Sequence, residues 1–299
     1  MIVASLAADS LALGVHWIYD TSIIDEKFGC VENFKKPSEP TYHPTKDLGE
    51  FTHYGDQTLV LLESIAQRPG FDLDHFADTW RNFFEDYTGY FDGATKATLE
   101  NFASGKGPGE AGSASDDLGG ASRIGPLAYY YRNDLDQLVA KARAQTALTH
   151  NNEHVIESAE FFARVIWQVL QGEKPTSALQ QVTRAGFDRE PYSRWVAKGL
   201  ESVELDTRQA LARWGQMCKT EAAFPSVVHL IAKFEDDLKQ GLVANVMAGG
   251  DSAARGLMVG LILGAYLGMD AIPDHWLSEL KAYRRICDLL QTIDQRVTR

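Results

Sequence analysis

NVMAGGDSAARGLMVGLILGAYLG, residues 245–268, is the segment from which the architecture is most readily inferred. Gly249 and Gly250 can adopt backbone angles that other residues avoid, so they predict a tight turn, and Asp251 follows where a helix N-cap is expected. In the helix that follows, glycine recurs every fourth residue along one stripe, at positions 256, 260, 264 and 268. Each interior glycine costs up to about 1 kcal/mol relative to alanine. The stripe therefore predicts a central helix with another backbone packed closely against it.

Helical periodicity extends through most of the chain. Apolar residues recur at three- and four-residue spacing in residues 59–66, 73–87, 94–102, 135–147, 155–170, 176–187, 227–238 and 275–293. Typical helix-start residues precede three of these segments, at Asp134, Pro175 and Pro273. No alternating run with an Asn-Gly or Asp-Gly turn indicates a hairpin. We therefore expect an all-α fold, and the absence of a linker predicts one domain over residues 1–299.

The composition is that of an acidic globular protein. The 299 residues are 44% hydrophobic and carry 29 Lys+Arg against 41 Asp+Glu, a net charge of −12. This balance argues against nucleic-acid binding, because phosphate neutralisation needs a basic face. Three cysteines without a CxxC pair, and a first segment without the basic region of a signal peptide, predict a cytoplasmic location. The apolar run at 256–269 is too short to span a bilayer, so no membrane partner is expected.

A glycine-rich segment at residues 104–125 is the first candidate for ligand binding. Its side chains Ser115, Asp116 and Asp117 can hydrogen-bond ribose hydroxyls, and the backbone N–H groups of Gly119 and Gly120 can hold a pyrophosphate. An acidic protein needs such dipoles, or a local cation such as Arg123, to bind an anion. The alternative is a flexible surface loop.

Two acidic helix starts are the second candidate. Asp251 begins the glycine-striped helix, and Asp56 lies in His53-Tyr54-Gly55-Asp56-Gln57-Thr58, just before another apolar helix. Two such helix ends can converge on a cation or a polar ligand. Acidic N-caps are common, however, so a purely structural role for both carboxylates stays open.

The order of motifs resembles the ADP-ribosylglycohydrolase family, which includes dinitrogenase-reductase-activating glycohydrolase and the J1-crystallins. Five family motifs have counterparts here in the same order along nearly the whole chain. G-D-A-L-G, T-D-D-T, M-R-x-x-P-L, T-H and G-G-D-T-D-T with I-P-x-x-W correspond to Ala8-Asp9-Ser10-Leu11, Gly55-Asp56-Gln57-Thr58, Ser122 to Leu127, Thr149-His150, and Gly249 to Ala254 with Ile272 to Trp276. The resemblance implies a single-domain orthogonal helical bundle.

The resemblance also implies a pair of Mg²⁺ ions, but this chain departs from the family at their ligands. Matched one position at a time, the ligand positions are His16, Gly55, Asp56, Gln57, Asp251, Ala253 and Ala254. Only Asp56 and Asp251 remain carboxylates, and Mg²⁺ needs octahedral oxygen coordination. We therefore expect no binuclear centre and at most one weakly held Mg²⁺ between Asp56 and Asp251.

The function implied by the resemblance is hydrolysis of an ADP-ribosyl or related riboside bond in a small-molecule or ADP-ribosylated substrate. Asp56 and Asp251 are the expected catalytic residues, as water-activating base and charge stabiliser. The expected substrate-binding residues are His16, Gln57, Ser115, Asp116, Asp117, Gly119, Gly120, Arg123, His150, Gly250 and Ser252. His16 has a structural alternative as a hydrogen-bonded helix residue, and His150 as part of a helix terminus. The competing hypothesis is a non-catalytic nucleotide binder or a crystallin-like structural protein.

Overall fold

A computed structural model describes residues 1–297, and its regular elements are helical. The predicted domain boundary at residue 299 lies just outside the described residues. The helices are α1 (Ile2–Leu13), α2 (Thr21–Phe28), α3 (His53–Gln67), α4 (Leu73–Glu85), α5 (Gly93–Ala103), α6 (Gly119–Ser122), α7 (Gly125–Tyr130), α8 (Leu135–Thr149), α9 (Glu153–Leu170), α10 (Pro175–Gly186), α11 (Tyr192–Glu201), α12 (Thr207–Trp214), α13 (Thr220–Lys233), α14 (Leu238–Met247), α15 (Ser252–Leu267), α16 (Asp274–Glu279) and α17 (Tyr283–Val297). The all-α prediction is confirmed.

Helix α15 is the centre of the molecule, as its glycine stripe predicts. Every residue from Ser252 to Gly264 is buried, and α1 packs along the stripe. A Cβ added at Gly260 would lie 2.6 Å from the backbone oxygen of Ala4, and one at Gly264 would lie 2.4 Å from the Ala4 Cβ. The missing side chains thus let two helices approach closely and carry their ends into the interior.

The turn before α15 is fixed by a buried arginine. Gly249 and Gly250 have φ angles of +71° and +66°, the left-handed region that favours glycine. The Arg255 guanidinium, which is fully buried, donates to the backbone oxygens of Gly249 and Gln216 and to the Asn245 side chain. Asp251 then accepts from the Ala254 N–H, so its predicted N-cap geometry is present. The carboxylate is held in one position at a helix start.

Breaks between helices interrupt the predicted apolar segments in two places. The segment predicted over 227–238 ends at Lys233, and Asp237 caps a new helix by accepting from the Gln240 N–H. The segment predicted over 275–293 is divided between α16 and α17. In each case the apolar spacing continues across a break in the backbone hydrogen bonds, which periodicity alone does not register. Helices α2, α11 and α12 were also missed, because all three are short.

One hydrophobic core includes buried side chains from Ile2 to Ile293. The glycine-rich segment belongs to it in part, because residues 117–125 are buried and include α6. The flexible-loop alternative is therefore wrong for this half of the segment. Among residues 1–297, none of the helices combines the length and the hydropathy needed to cross a bilayer.

Candidate functional site

Three chain segments meet at the buried start of α15. Tyr54, in the first turn of α3, places its hydroxyl 2.9 Å from Asp117 Oδ2 and 3.3 Å from Asp251 Oδ2. Asp117 lies just before α6 and accepts from the Gly119 N–H at 2.7 Å. One ligand atom each from Asp117, Asp251 and Cys218 lies within 4.8 Å of the others. The arrangement is a compact group of two carboxyls, a phenol and a thiol.

Two histidines, His16 and His43, form a chain of polar contacts that ends at Asp251. His16 Nε2 lies 3.0 Å from Asp251 Oδ1, and His16 Nδ1 lies 2.9 Å from His43 Nε2. Both rings are buried, and burial lowers the pKa of each, so they are neutral near pH 7. A neutral His16 donates from Nε2 to the Asp251 carboxylate and accepts from His43 at Nδ1. Every hydrogen bond on this side of Asp251 therefore stabilises its ionised form.

The two carboxyls have opposite protonation. A phenol has one hydrogen and cannot donate to Asp117 and Asp251 together, so one carboxyl must donate to Tyr54. Burial alone would raise the pKa of Asp251, but the hydrogen bond from His16 holds it below its usual value. Burial, with the charge of Asp251, raises the pKa of Asp117 to about 7. In the assignment consistent with these shifts, a protonated Asp117 donates to the Tyr54 hydroxyl, and that hydroxyl donates to an ionised Asp251.

Asp117 also lines an open cleft of about 460 Å³. Aromatic walls are provided by Trp17 and Tyr90, whose ring centroids are 5.1 Å apart at 78°. The remaining lining includes Asp92, Ser113, Ser115 and Cys218. Asp251 is fully buried behind Asp117 and is absent from the lining. A ligand in the cleft therefore meets Asp117 and Asp92 rather than Asp251.

Asp92 is a carboxylate that the sequence analysis did not single out. It caps α5 by accepting from the Thr95 N–H at 2.6 Å, and its Oδ2 lies 3.3 Å from His53 Nε2. Burial would raise the pKa of Asp92, but the neighbouring His53 imidazole holds it well below its usual range. Asp92 therefore stays ionised at pH values where Asp117 binds a proton, and the charge of Asp92 helps to raise the pKa of Asp117.

Asp56 takes partners of its own. Its Oδ2 accepts from Lys46 Nζ at 2.5 Å and from the Tyr87 hydroxyl at 2.6 Å. It lines a separate hollow with Lys46, Lys281 and Arg285. Tyr54 and Asp56 are two positions apart on one helix, roughly 200° around its axis, so Asp56 points away when Tyr54 points at Asp251. Asp56 and Asp251 thus have separate sets of hydrogen-bond partners, and their predicted pairing across one cleft stays a prediction.

Comparisons with known proteins agree with this architecture. The ADP-ribosylglycohydrolase family model matches residues 1–299. The chain belongs to the ADP-ribosylglycohydrolase family. It is 26% identical to Crystallin J1A of Tripedalia cystophora, over 93% of this chain and 89% of that one. It is 22% identical to ADP-ribosylhydrolase ARH3 of Homo sapiens, over 61% of this chain and 58% of that one. A solved structure, "ADP-ribosylglycohydrolase-related protein complex", superposes with a TM-score of 0.78 at 25% identity, covering 99% of this chain and 96% of the other.

The helix start that faces Asp251 lies three residues before the segment matched to the family motif T-D-D-T, Gly55-Asp56-Gln57-Thr58. The helix start that faces Asp251 begins with Thr52 as N-cap, where the Thr52 side chain accepts from the Tyr54 N–H and donates to Asp9. After this cap, α3 begins with His53, Tyr54 and Gly55. The α3 side chain that contacts Asp251 is therefore the Tyr54 phenol rather than a carboxylate.

The residues present do not fit a binuclear magnesium centre. Both Asp251 oxygens already accept hydrogen bonds, from His16 and Ala254 on one and from Tyr54 on the other. Burial raises the pKa values of Tyr54 and Cys218, so the phenol and the thiol stay protonated. Mg²⁺ prefers carboxylate and water oxygens, and Asp56 is already paired with the Lys46 ammonium group. The hydrogen bonds that Asp56 and Asp251 already make likewise disfavour the single ion expected between them.

The groups predicted to hold a pyrophosphate are engaged within the protein. The N–H groups of Gly119 and Gly120 donate to the side chain and the backbone oxygen of Asp117. Arg123 is buried and donates to Gln57 and Thr149. A further set is likewise buried away from the cleft and is not brought to it: Gln57, His150, Gly250 and Ser252.

Of the expected substrate-binding residues, the structure places Ser115 and Asp117 in the cleft lining. His16 contacts Asp251 behind them, in the turn after α1 rather than within a helix. Asp116 is next to Asp117, but its carboxylate lies 3.6 Å from Lys219 and does not line the cleft. The signal for Asp92 was available, because Asp92-Gly93-Ala94-Thr95 has the same N-cap pattern that identified Asp251.

Proposed function

We propose that this protein hydrolyses the glycosidic bond of an ADP-ribosyl group or a related riboside, with Asp117 and Asp92 acting in place of paired magnesium ions. The observation that carries the proposal is the presence of two buried carboxyls, one protonated and one ionised, along one aromatic-walled cleft. Carboxyl pairs whose environments separate their pKa values are the usual acid and base of glycoside hydrolysis. Family membership supports the same reaction class.

The chemistry balances with these two groups. Asp117 gives its proton to the leaving nitrogen or oxygen as the bond to ribose C1 breaks, and the developing positive charge on the ribose faces the Asp92 carboxylate. Asp92 takes a proton from the attacking water, whose oxygen bonds to C1. The products are a free ribose hydroxyl and a protonated leaving group. Exchange with solvent then returns a proton to Asp117 and removes one from Asp92.

The cleft lining suits the sugar better than it suits phosphate. Ser113 and Ser115 present polar groups for hydroxyls, and Trp17 and Tyr90 present faces and edges for a planar or apolar part. No Lys or Arg lines this cleft among the residues that the structure describes, and the net charge of −12 opposes an anion. The substrate is accordingly a small riboside or the ribose end of an ADP-ribosylated molecule.

The test compares neighbouring carboxylates in a turnover assay with ADP-ribosyl-arginine and a panel of ribosides. We expect Asp117→Asn and Asp92→Asn each to lower kcat by about 100-fold or more, as loss of a general acid or base does. Asp116→Asn is the matched control and leaves kcat unchanged, because its side chain is outside the cleft. Turnover should persist in EDTA. Activity that survives both substitutions, or that disappears with EDTA, would contradict the proposal.

A second candidate is a non-catalytic protein that keeps the fold. The similarity to Crystallin J1A extends over 93% of this chain, and the phosphate-binding groups of the loop are used internally. This candidate predicts no turnover on any member of the panel. It also predicts that Asp117→Asn raises stability near pH 8, because the substitution removes a buried carboxyl that must otherwise ionise.

A further inference from the structure

A second cavity, of about 590 Å³, shares Trp17 with the cleft as a lining residue. Its walls come from α2 and from the segment around residues 38–42. The volume is in the range of small-molecule sites. The lining is mainly apolar and includes Trp17, Ile18, Tyr19, Ile23, Phe28 and Tyr42.

The cavity gathers apolar side chains that folding leaves exposed. Tyr19, Ile23 and Tyr42 are 48%, 38% and 52% exposed, whereas Ile24, the neighbour of Ile23 on α2, is fully buried in the core. The only other large hydrophobic side chains with comparable exposure among residues 1–297 are Met217 and Met269. Single exposed apolar residues are ordinary, but a concave group of them indicates a ligand site.

Trp17 lines both this cavity and the cleft. Its ring contacts Tyr42 edge-on, with centroids 4.9 Å apart. Trp17 is also the one non-glycine residue with a positive φ among residues 1–297, at +65°. Its N–H donates to the Gly250 oxygen, and the Gly250 N–H donates to Ile18, which holds the strained backbone in place. Bulky residues rarely adopt this conformation, and where they do, the strain tends to mark a functional site.

The charges on the cavity wall restrict the ligand. Asp20 and Glu26 line it together with a single cation, Lys27. This balance disfavours phosphates and carboxylates and accepts neutral or cationic groups. Tryptophan and tyrosine walls favour a flat ring that stacks or packs edge-to-face.

We propose that the cavity is the subsite for the leaving group of the riboside, and that this group is a planar nitrogen heterocycle, neutral or cationic. The inference rests on the proposed function. The ribose lies in the cleft over Asp92 and Asp117, and the heterocycle packs against Trp17 between Ile23 and Tyr42. The substrates of this protein are then N-ribosides of aromatic bases rather than conjugates of an aliphatic side chain.

Binding is tested separately from catalysis by titrating nicotinamide and nicotinate into the Asp117→Asn variant by calorimetry. The two probes share a ring and differ in charge. We expect nicotinamide to bind at least about tenfold more tightly than nicotinate, and Tyr42→Ala and Ile23→Ser each to weaken it about tenfold, the scale of one lost stacking or apolar contact. Met269→Ser, an exposed residue outside the cavity lining, is the matched control and leaves the affinity unchanged.

Three results would overturn the subsite. They are equal or tighter binding of nicotinate, affinity that is insensitive to both cavity substitutions, and tighter binding of an aliphatic probe such as hexanamide. If nicotinamide binds as expected and no riboside is hydrolysed, the proposed function and the leaving-group role both fail, and only a heterocycle-binding cavity remains. If ribosides are hydrolysed but nicotinamide does not bind, the subsite fails and the proposed function stands.

Discussion

Asp9 shows how a single buried carboxyl can link distant segments of the chain. Its Oδ2 accepts from the Thr52 N–H at 2.7 Å and its Oδ1 from the Thr52 hydroxyl at 2.6 Å, so α1 fixes the start of α3. A Cβ at Gly55 would lie 2.4 Å from Asp9 Oδ2, which explains the glycine there. Burial raises the pKa of Asp9 to about 7, even though Thr52 stabilises the carboxylate.

The pKa of Asp9 predicts a pH-dependent effect of Asp9→Asn on stability. A carboxyl with a pKa near 7 when folded and about 3.9 when unfolded binds more protons in the folded state between these values. It therefore destabilises the fold as pH rises through this window. The free energy of unfolding of Asp9→Asn should therefore rise relative to that of wild type by up to about 1.4 kcal/mol per pH unit between pH 5 and 7.

Urea unfolding at several pH values measures this difference directly. The control is Asp86→Asn, at an exposed carboxyl at the end of α4, which should follow the wild-type profile. A difference between wild type and Asp9→Asn that does not change with pH would show that Asp9 stays ionised in the folded protein.

At the scale of elements, the contact between α1 and α15 sets the geometry of the site. The two helices approach along Gly260 and Gly264, and the Ser5 hydroxyl donates to the Leu257 oxygen at 2.7 Å. The ends of the same helices lead to His16 and Asp251, which meet at 3.0 Å. A small change in helix separation therefore moves the imidazole relative to the carboxylate.

Gly260→Ala should destabilise the protein by about 2 kcal/mol or more, because the new methyl group meets the α1 backbone at 2.6 Å. This cost exceeds the gain of about 1 kcal/mol that alanine brings to a helix interior. Gly186→Ala, at the end of α10 with nothing within 4 Å of the added Cβ, is the matched control. It should be neutral or stabilising by up to about 1 kcal/mol. Equal effects of the two substitutions in urea unfolding would contradict the close helix contact.

The same elements show what the sequence could predict. The spacing of glycine in residues 256–268 correctly identified a central helix, because close packing needs small residues at fixed intervals. Asp251 was correctly placed at the start of this helix. The first turn of α3 was misplaced, because the apolar pattern begins only at Leu59, six residues after the helix itself. Tyr54 was consequently overlooked. Asp92 was overlooked although its N-cap pattern could be read from the sequence, and its nearness to Asp117 could not, because that depends on how distant segments pack.

At the scale of the whole molecule, the charges and the ligand atoms of the site predict that Mg²⁺ leaves the thermal stability unchanged. An ion whose Kd is higher than its concentration adds less than RT ln 2, about 0.4 kcal/mol, to the free energy of unfolding. For a chain of 299 residues this corresponds to a change in Tm of about 1 °C. We therefore expect the same Tm, within about 1 °C, in millimolar Mg²⁺ and in EDTA.

A family member that retains G-D-T-D-T serves as the positive control and should lose stability in EDTA. A rise of several degrees for the present protein in Mg²⁺ would show that a cation displaces Tyr54 or His16 from Asp251. Anomalous scattering from crystals soaked in Mn²⁺ would then locate the ion.

The position of Tyr54 between Asp117 and Asp251 has a consequence for how this site can change over generations. Tyr54→Asp alone would remove the phenol that joins two buried carboxyls and add a third negative group. His16→Glu alone would do the same on the other side of Asp251. Each step adds charge to a closed interior before a cation can be held there. A binuclear metal centre at this position would therefore require several coordinated substitutions, because either of these two changes made first would give a less stable protein.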